Sequence, residues 1–369
     1  MTLEHSPLFS PAKIGAFTVK NRLAIAPMIR VSADNAGFMT QAMAQYYREF
    51  AEAGFGLIIT EGLYTDKRFS QTYRYQPGLS DIEQAKSWQP LIASVNDSNT
   101  LLIAQLMHGG ALSQHNKYRD HTLAPSPVRP LGKQMTFYYG QGQYALPEQM
   151  TTQDIQEAVE GFVAAAVNAK ASGFHGVEIH GANGYLLDQF LTPYTNQRSD
   201  LYGGPLENRL RLYREILLAV RAAVGDDFIV GVRFSQKKVN DSEHLWPEAI
   251  EAAWQTFTMA KNCKVDYIHT TEPQASAPAF ANSPSLAALA KHYSGLPVIA
   301  NGGIVNGEQA LDVLENQEAD FIAIGRAALA NPRWAEAVRH GKTLHAFDYD
   351  MFKPLANLES AKSYFQTRI

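Results

Sequence analysis

Apolar residues fall along this chain in two alternating modes. Short, nearly unbroken apolar runs occupy 22–28, 56–62, 100–106, 176–180, 228–235, 267–272, 297–303 and 321–326. Between them, apolar residues recur every three or four positions. The clearest case is Leu206, Leu210, Tyr213, Leu217 and Val220 behind Pro205, a residue pre-set for a first helical turn. Further helical spacing appears over 40–53, 82–96, 152–171, 247–261, 285–292 and 307–314. The short runs are rich in β-branched residues and lack period-two alternation, as strands covered on both faces should. Eight such runs in one continuous strand–helix alternation predict a (β/α)8 TIM barrel.

The rest of the chain is arranged around that core, expected at about 20–340 of a single domain spanning 1–369. The first twenty residues, with Pro7, Pro11 and Gly15 between short apolar pieces, predict an N-terminal hairpin. About forty residues separate the third run from the helix at Thr152, and they are crowded with Phe137, Tyr138, Tyr139 and Tyr144. So long an excursion on the strand-end side reads as a lid or pocket wall. A C-terminal extension, 341–369, carries Phe347, Tyr349, Phe352 and Tyr364 and could cover its own barrel or reach a neighbour. A doubly wound sheet would require a G-x-G-x-x-G turn after an early strand. The nearest segment, YGQGQY at 139–144, lacks the third glycine and follows no strand.

Composition narrows the class without choosing the chemistry. A hydrophobic share of 46% against 18% charged residues describes a globular protein with a large core. A formal net charge of -4 gives no reason to expect nucleic acid or an anionic membrane as partner. The one cysteine, Cys263, excludes an internal disulfide and an all-cysteine iron–sulfur cluster from this chain alone. No apolar run approaches the roughly 20 residues of a membrane helix, and the start lacks a basic segment followed by an apolar one. A cytoplasmic enzyme is the expectation.

Barrels place their chemistry at the carboxyl ends of the strands. Those ends hold Pro27, Met28 and Ile29, Gly62, Gln105, His180 with Asn183, Arg233, Gly302 with Gly303, and Gly325 with Arg326. The glycine pairs after the last two strands offer bare backbone N–H groups and one guanidinium where barrels commonly bind phosphate. Gln105 and Arg233 are polar ends on otherwise apolar strands, and each needs a hydrogen-bonding partner at the mouth. Phosphate plus a polar ring edge suggests a nucleotide-like cofactor such as FMN. Strand parity puts Glu178 one layer below His180, where an ion pair with Arg233 is expected. His108, His180 and His269 lie near strand ends, but the chain has neither a His-x-His pair nor H-E-x-x-H, so no metal is expected.

The stretch IHGANGYLLDQFLTPYTNQRSDLYGGPLENR, together with NRLAIAPM, GLIITEG, IAQLMHGG, VGVRFS, IANGG and IAIGRAALANP, resembles the old yellow enzyme family of FMN-dependent ene-reductases. The resemblance runs from about Leu8 to Trp334 in the same order. It implies non-covalent FMN, reduced by NADH or NADPH, and reduction of the activated C=C bond of a small α,β-unsaturated carbonyl or nitro compound. Carried onto this chain, it implies that His180 and Asn183 hold the substrate oxygen and Tyr185 supplies a proton. Gln105 and Arg233 would contact the flavin edge, and Gly302, Gly303, Gly325 and Arg326 its phosphate. Pro27, Met28, Ile29 and Gly62 would line the ring, with Met107, Tyr138 and Tyr139 walling the substrate pocket.

Three positions depart from the family's pattern. Ile29 replaces a Thr or Cys that contacts the flavin, Met107 replaces a common Trp, and Val31 stands where one branch has a Tyr. Isoleucine has no hydrogen bond to give, so a lower flavin potential is expected. Two other readings fit the residues: a flavin-free, phosphate-binding barrel isomerase or lyase with His180 as base, and a flavoprotein whose turnover is lost to a sensing role.

Overall fold

The computed structural model describes residues 3–368. In chain order its barrel elements are β1 (Leu23–Ile25), α1 (Gln41–Glu52), β2 (Leu57–Ile59), α2 (Gln89–Asp97), β3 (Leu101–Met107), α3 (Thr152–Ser172), β4 (Gly176–His180), α4 (Arg211–Val224), β5 (Ile229–Phe234), α5 (Ile250–Asn262), β6 (Tyr267–Thr271), α6 (Leu286–Ser294), β7 (Val298–Asn301), α7 (Gly307–Glu315), β8 (Phe321–Ile324) and α8 (Trp334–Arg339). Every neighbouring pair of strands is parallel, and β8 returns to pair with β1, which closes the barrel. All eight apolar runs of the sequence supply one strand each.

Two cores explain why the strands lack alternation. Leu57, Ile59, Leu101, Ile103, Ile229, Tyr267, Ile299 and Phe321 fill the barrel's interior. The opposite faces of the same strands, among them Ile58, Leu102, Val177, Val230 and Ile322, pack against the helices. The expected hairpin pairs Ala12–Ile14 with Phe17–Val19. Its Ile14 and Val19 join the interior cluster, so it plugs the end of the barrel away from the active face.

Helix boundaries follow local chemistry. Thr151 and Asp154 form a capping box ahead of α3, and Gly173, left-handed at φ 96°, ends it. The single helix expected over 82–96 is two, Ile82–Lys86 and α2. Pro90 lacks an N–H and would clash with the carbonyl of Lys86, so one helix cannot run through. A further correction concerns the segment before Pro205, where no helix is expected. Leu186–Leu191 is helical, and all six residues are buried, which erases the amphipathic spacing that would announce it.

The excursion after β3 is ordered. Two-residue strands, Leu123–Ala124 and Glu148–Gln149, tie its base. The C-terminal extension lies on its own barrel. Phe352 stacks on Phe137 at 5.9 Å, the Ala356 N–H donates to the Phe137 carbonyl, and Arg30 is held between the rings of Tyr46 and Phe352. Among the described residues no helix is long and apolar enough to cross a membrane.

Candidate active site

The site is built in two halves around the barrel mouth. At the ends of β7 and β8 opens a cleft of about 770 Å³. It is lined by Pro27, Met28, Arg233, Gly302, Gly303, Gly325 and Arg326, all expected in the cofactor site. Gly302 and Gly303 take φ 139° and 66°, and a Cβ on Gly302 would stand 1.8 Å from the Glu272 carbonyl oxygen. Glycine is therefore forced on that turn, and its bare backbone faces the cleft. A Cβ on Gly325 would meet nothing closer than 3.7 Å, so room remains above it. Arg326 is exposed, and its Nη1 donates to the Tyr349 hydroxyl, 2.9 Å away on the C-terminal extension.

The second half lies over β2 to β4. His180, at the end of β4, is 4% exposed and pairs in register with Arg233 of β5. The chain then turns through Gly181, whose N–H donates to the Arg233 carbonyl and whose own carbonyl accepts from Tyr213. Asn183 is left-handed at φ 64°, a conformation asparagine tolerates better than most residues. Its backbone is fixed at both ends, the N–H to Ser235 Oγ at 2.8 Å and the carbonyl by the Val239 N–H. Below the turn, Asp188 accepts from the Gly184 N–H at 2.6 Å and from Lys238 Nζ at 2.8 Å, both charges being buried. This clamp leaves the Asn183 side chain outside every hydrogen bond found among the described residues, free to face a ligand. Tyr185 follows, 5.0 Å from His180 ring to ring.

Charge under the mouth is organised by Glu178. Its carboxylate accepts from Gln105 Nε2 at 2.8 Å, the Tyr267 hydroxyl at 2.9 Å and His269 Nδ1 at 2.9 Å. Tyr267 reaches it across Gly231, where a Cβ would sit 2.1 Å from the phenol ring. The expected Glu178–Arg233 ion pair is not made. Glu178 is saturated by β3 and β6, and Arg233 Nη2 instead donates to Asn301 Oδ1 at 2.9 Å. The two charges still act through space. Burial disfavours the Glu178 carboxylate, but His269, which is protonated only at low pH, Arg233 and the donated hydrogen bonds outweigh it and hold its pKa at about 2. Within the buried pair Glu178 keeps its charge, while burial keeps His269 neutral, so the imidazole N–H is the donor. Burial, then the Arg233 charge, push His180 down to about 3, so it too is neutral at pH 7.

Three buried polar atoms near the mouth lack a partner among the described residues: His180 Nδ1, Arg233 Nε and His269 Nε2. Such groups are rare in folded proteins, because each costs about 1–3 kcal/mol when left unpaired. Two of the three belong to residues expected to touch cofactor or substrate. Together with the glycine cradle, they fit a planar, oxygen-rich ring carrying a phosphate arm. Among the described residues, no group of three or more His, Cys, Asp or Glu is placed to hold a metal ion.

The remaining candidate residues lie as follows. Gly62 and Met107 touch, since a Cβ on Gly62 would lie 2.4 Å from the Met107 sulfur. Met107 is fully buried and joins Val31, Tyr73, Leu112, Tyr144 and Tyr185 in one cluster, with Ile29 and Tyr138 packed against it. Tyr138 donates its hydroxyl to the Ile29 carbonyl at 3.2 Å. Tyr139 stands further out, against Tyr75 at 5.6 Å and under Arg74 at 5.7 Å, so it forms the rim more than the wall. Sequence reasoning missed Tyr73, in a tyrosine-bearing loop whose pairing with Tyr185 spans 112 residues. It also missed Glu61, which accepts the Arg30 N–H at 2.9 Å and so braces Val31, a β-branched residue at φ 39°.

The whole of this architecture has known counterparts. Residues 7–345 match the NADH:flavin oxidoreductase / NADH oxidase family. An NADH oxidase of Thermoanaerobacter brockii is 31% identical over 358 residues; the match covers 92% of this chain but 52% of that protein, so the chain spans about half its length. A probable flavin mononucleotide-dependent alkene reductase of Leishmania infantum is 32% identical, with 88% of each chain covered. The old yellow enzyme homologue of Zymomonas mobilis superposes with a TM-score of 0.86 at 29% identity, over 97% of this chain and 99% of that one. This chain belongs to the NADH:flavin oxidoreductase / NADH oxidase family, as an FMN-dependent, NAD(P)H-oxidising enzyme of the old yellow enzyme type.

Proposed function

We propose that this enzyme reduces the activated C=C bond of small α,β-unsaturated carbonyl or nitro compounds. The observation that carries the reading is a convergence at one barrel mouth. Arg233 lines the glycine-bearing cleft, His180 pairs with it in register on the neighbouring strand, and Asn183 and Tyr185 follow His180 within five residues. Bound FMN would supply the hydride, having taken it from NADH or NADPH. Arg233 and Gln105 would face the ring edge, where the guanidinium would offset the negative charge of reduced flavin. Gly302, Gly303, Gly325 and Arg326 would hold its phosphate, while Pro27, Met28, Ile29 and Gly62 would border its ring.

His180 and the Asn183 amide donate to the substrate's carbonyl oxygen. Two fixed donors stabilise the enolate charge that appears there as hydride reaches the β-carbon. Tyr185 then gives its proton to the α-carbon, a general-acid role open to a phenol because burial keeps it protonated. Met107, Val31 and Tyr138 enclose the substrate, and Tyr139 edges the entrance. The test is direct. Purified protein should carry a flavin spectrum and oxidise NADH or NADPH in the presence of 2-cyclohexenone. A colourless protein, or a yellow one that leaves the enone unreduced, would overturn the reading.

Ile29 makes a second prediction. Its side chain packs against the aromatic cluster, and its carbonyl accepts from the Tyr138 hydroxyl. In Ile29→Thr a hydroxyl donor becomes available. One hydrogen bond to the reduced ring, worth about 0.5–1.5 kcal/mol, corresponds to a rise of about 10–30 mV in a two-electron potential. Spectroelectrochemical titration of both proteins checks it, and an unchanged midpoint would mean the side chain is out of reach.

A further inference from the structure

Tyr73 lies in the loop after β2, and no role for it follows from the strand-end pattern. Its hydroxyl stands 2.6 Å from that of Tyr185. Tyr73 is fully buried, with its ring 4.8 Å from that of Tyr138. Its backbone is pinned as well. The N–H groups of Thr72 and Tyr73 both donate to Gln76 Oε1, and Gln76 Nε2 donates to the Gly62 carbonyl at the end of β2. The phenol is therefore held against the catalytic half of the site, although the intervening chain is irregular.

Each hydroxyl has one proton to donate. Among the described residues, Tyr185 Oη is the only hydrogen-bond partner of the Tyr73 hydroxyl. If Tyr185 donated to Tyr73, the Tyr73 proton would be buried with nothing to accept it. Donation from Tyr73 to Tyr185 leaves neither proton stranded, because the Tyr185 proton is then free to point into the pocket.

We propose that Tyr73 is a positioning residue for proton transfer: its hydroxyl donates to Tyr185, aims the Tyr185 proton at the substrate's α-carbon, and holds the phenolate left behind. The proposal rests on the reading of Tyr185 as the acid. In the step, a C–H bond forms at the α-carbon as the Tyr185 O–H bond breaks, and that bond's electron pair stays on Tyr185. Tyr73 keeps its own proton, and solvent restores that of Tyr185 after product leaves. A hydrogen bond to a charged oxygen is stronger than one to a neutral phenol, so the contact strengthens as the reaction proceeds. Burial raises the pKa of both phenols, and at Tyr185 the Tyr73 hydrogen bond opposes that rise.

The experiment separates the two half-reactions of the holoenzyme by stopped-flow. In Tyr73→Phe, reduction of the flavin by NADPH or NADH should stay within about twofold of wild type. Reoxidation by 2-cyclohexenone should slow about tenfold or more, a part of the typical general-acid contribution. Reoxidation by menadione, whose reduction needs no proton on carbon, should be unchanged. Tyr73→Phe/Tyr185→Phe should be no slower with the enone than Tyr185→Phe alone, because the phenylalanine at 185 has no proton to aim. The proposal falls if Tyr73→Phe reduces the enone within twofold of wild type, if the double variant shows the product of the two single losses, or if menadione is slowed equally. If Tyr185→Phe itself leaves enone reduction unchanged, the acid assignment fails first and Tyr73 falls with it.

Discussion

Replacing His180 with alanine is expected to lower turnover with 2-cyclohexenone by about 10²–10³-fold, the usual loss for one donor of an oxyanion-stabilising pair. The imidazole sits at the end of β4 with 4% exposure and a buried Nδ1 that has no partner among the described residues. Its removal leaves Asn183 as the remaining donor to an oxygen that becomes an enolate. The loss should appear in reoxidation by the enone, and less in reduction by the nicotinamide, when the two are timed separately. His180→Gln keeps a donor near the same place and should recover part of the rate. Since burial and Arg233 keep His180 neutral down to about pH 3, its ionisation adds no acid limb to the wild-type rate between pH 5 and 8. Turnover in His180→Ala within fivefold of wild type would remove His180 from the oxygen site.

These residues could be read from the sequence because they are contiguous. HGANGY carries the two proposed donors and the proposed acid within six positions, at the end of a strand. The eight strands were legible for a different reason. Both faces of each are covered, so apolar side chains run without alternation. What escaped is what depends on partners far apart in the chain. Strand parity places Glu178 beneath His180, but it cannot say that Tyr267 will cross Gly231 to reach the carboxylate before Arg233 does. Tyr73 meets Tyr185 only because Gln76 anchors a loop with no periodicity. The helix Leu186–Leu191 was hidden by complete burial, which removes the contrast that periodicity requires.

Converting Glu178 to glutamine tests whether its charge, as distinct from its shape, organises the barrel mouth. The carboxylate has an ordinary pKa of 4.5 and a folded value of about 2. The sign of its contribution to stability follows from the depressed value. The contribution is complete above the unfolded pKa and is lost as pH falls from 4.5 towards 2, where native Glu178 takes up a proton. Glu178→Gln should therefore be less stable than wild type at pH 7, with the gap narrowing as pH falls below 4.5. Geometry agrees with this direction. Glutamine offers one oxygen to three donors and turns an NH₂ group towards the others, while the Arg233 guanidinium loses the Glu178 carboxylate whose charge acts on it. Loss of one member of a buried charge pair typically costs about 3–5 kcal/mol. Because Arg233 also faces the flavin edge in the proposed function, the variant should bind FMN more weakly. Urea unfolding at pH 7, 5 and 3, with FMN retention measured alongside, decides the matter. A gap that stays constant across that range would show that Glu178 acts by packing and hydrogen bonding alone.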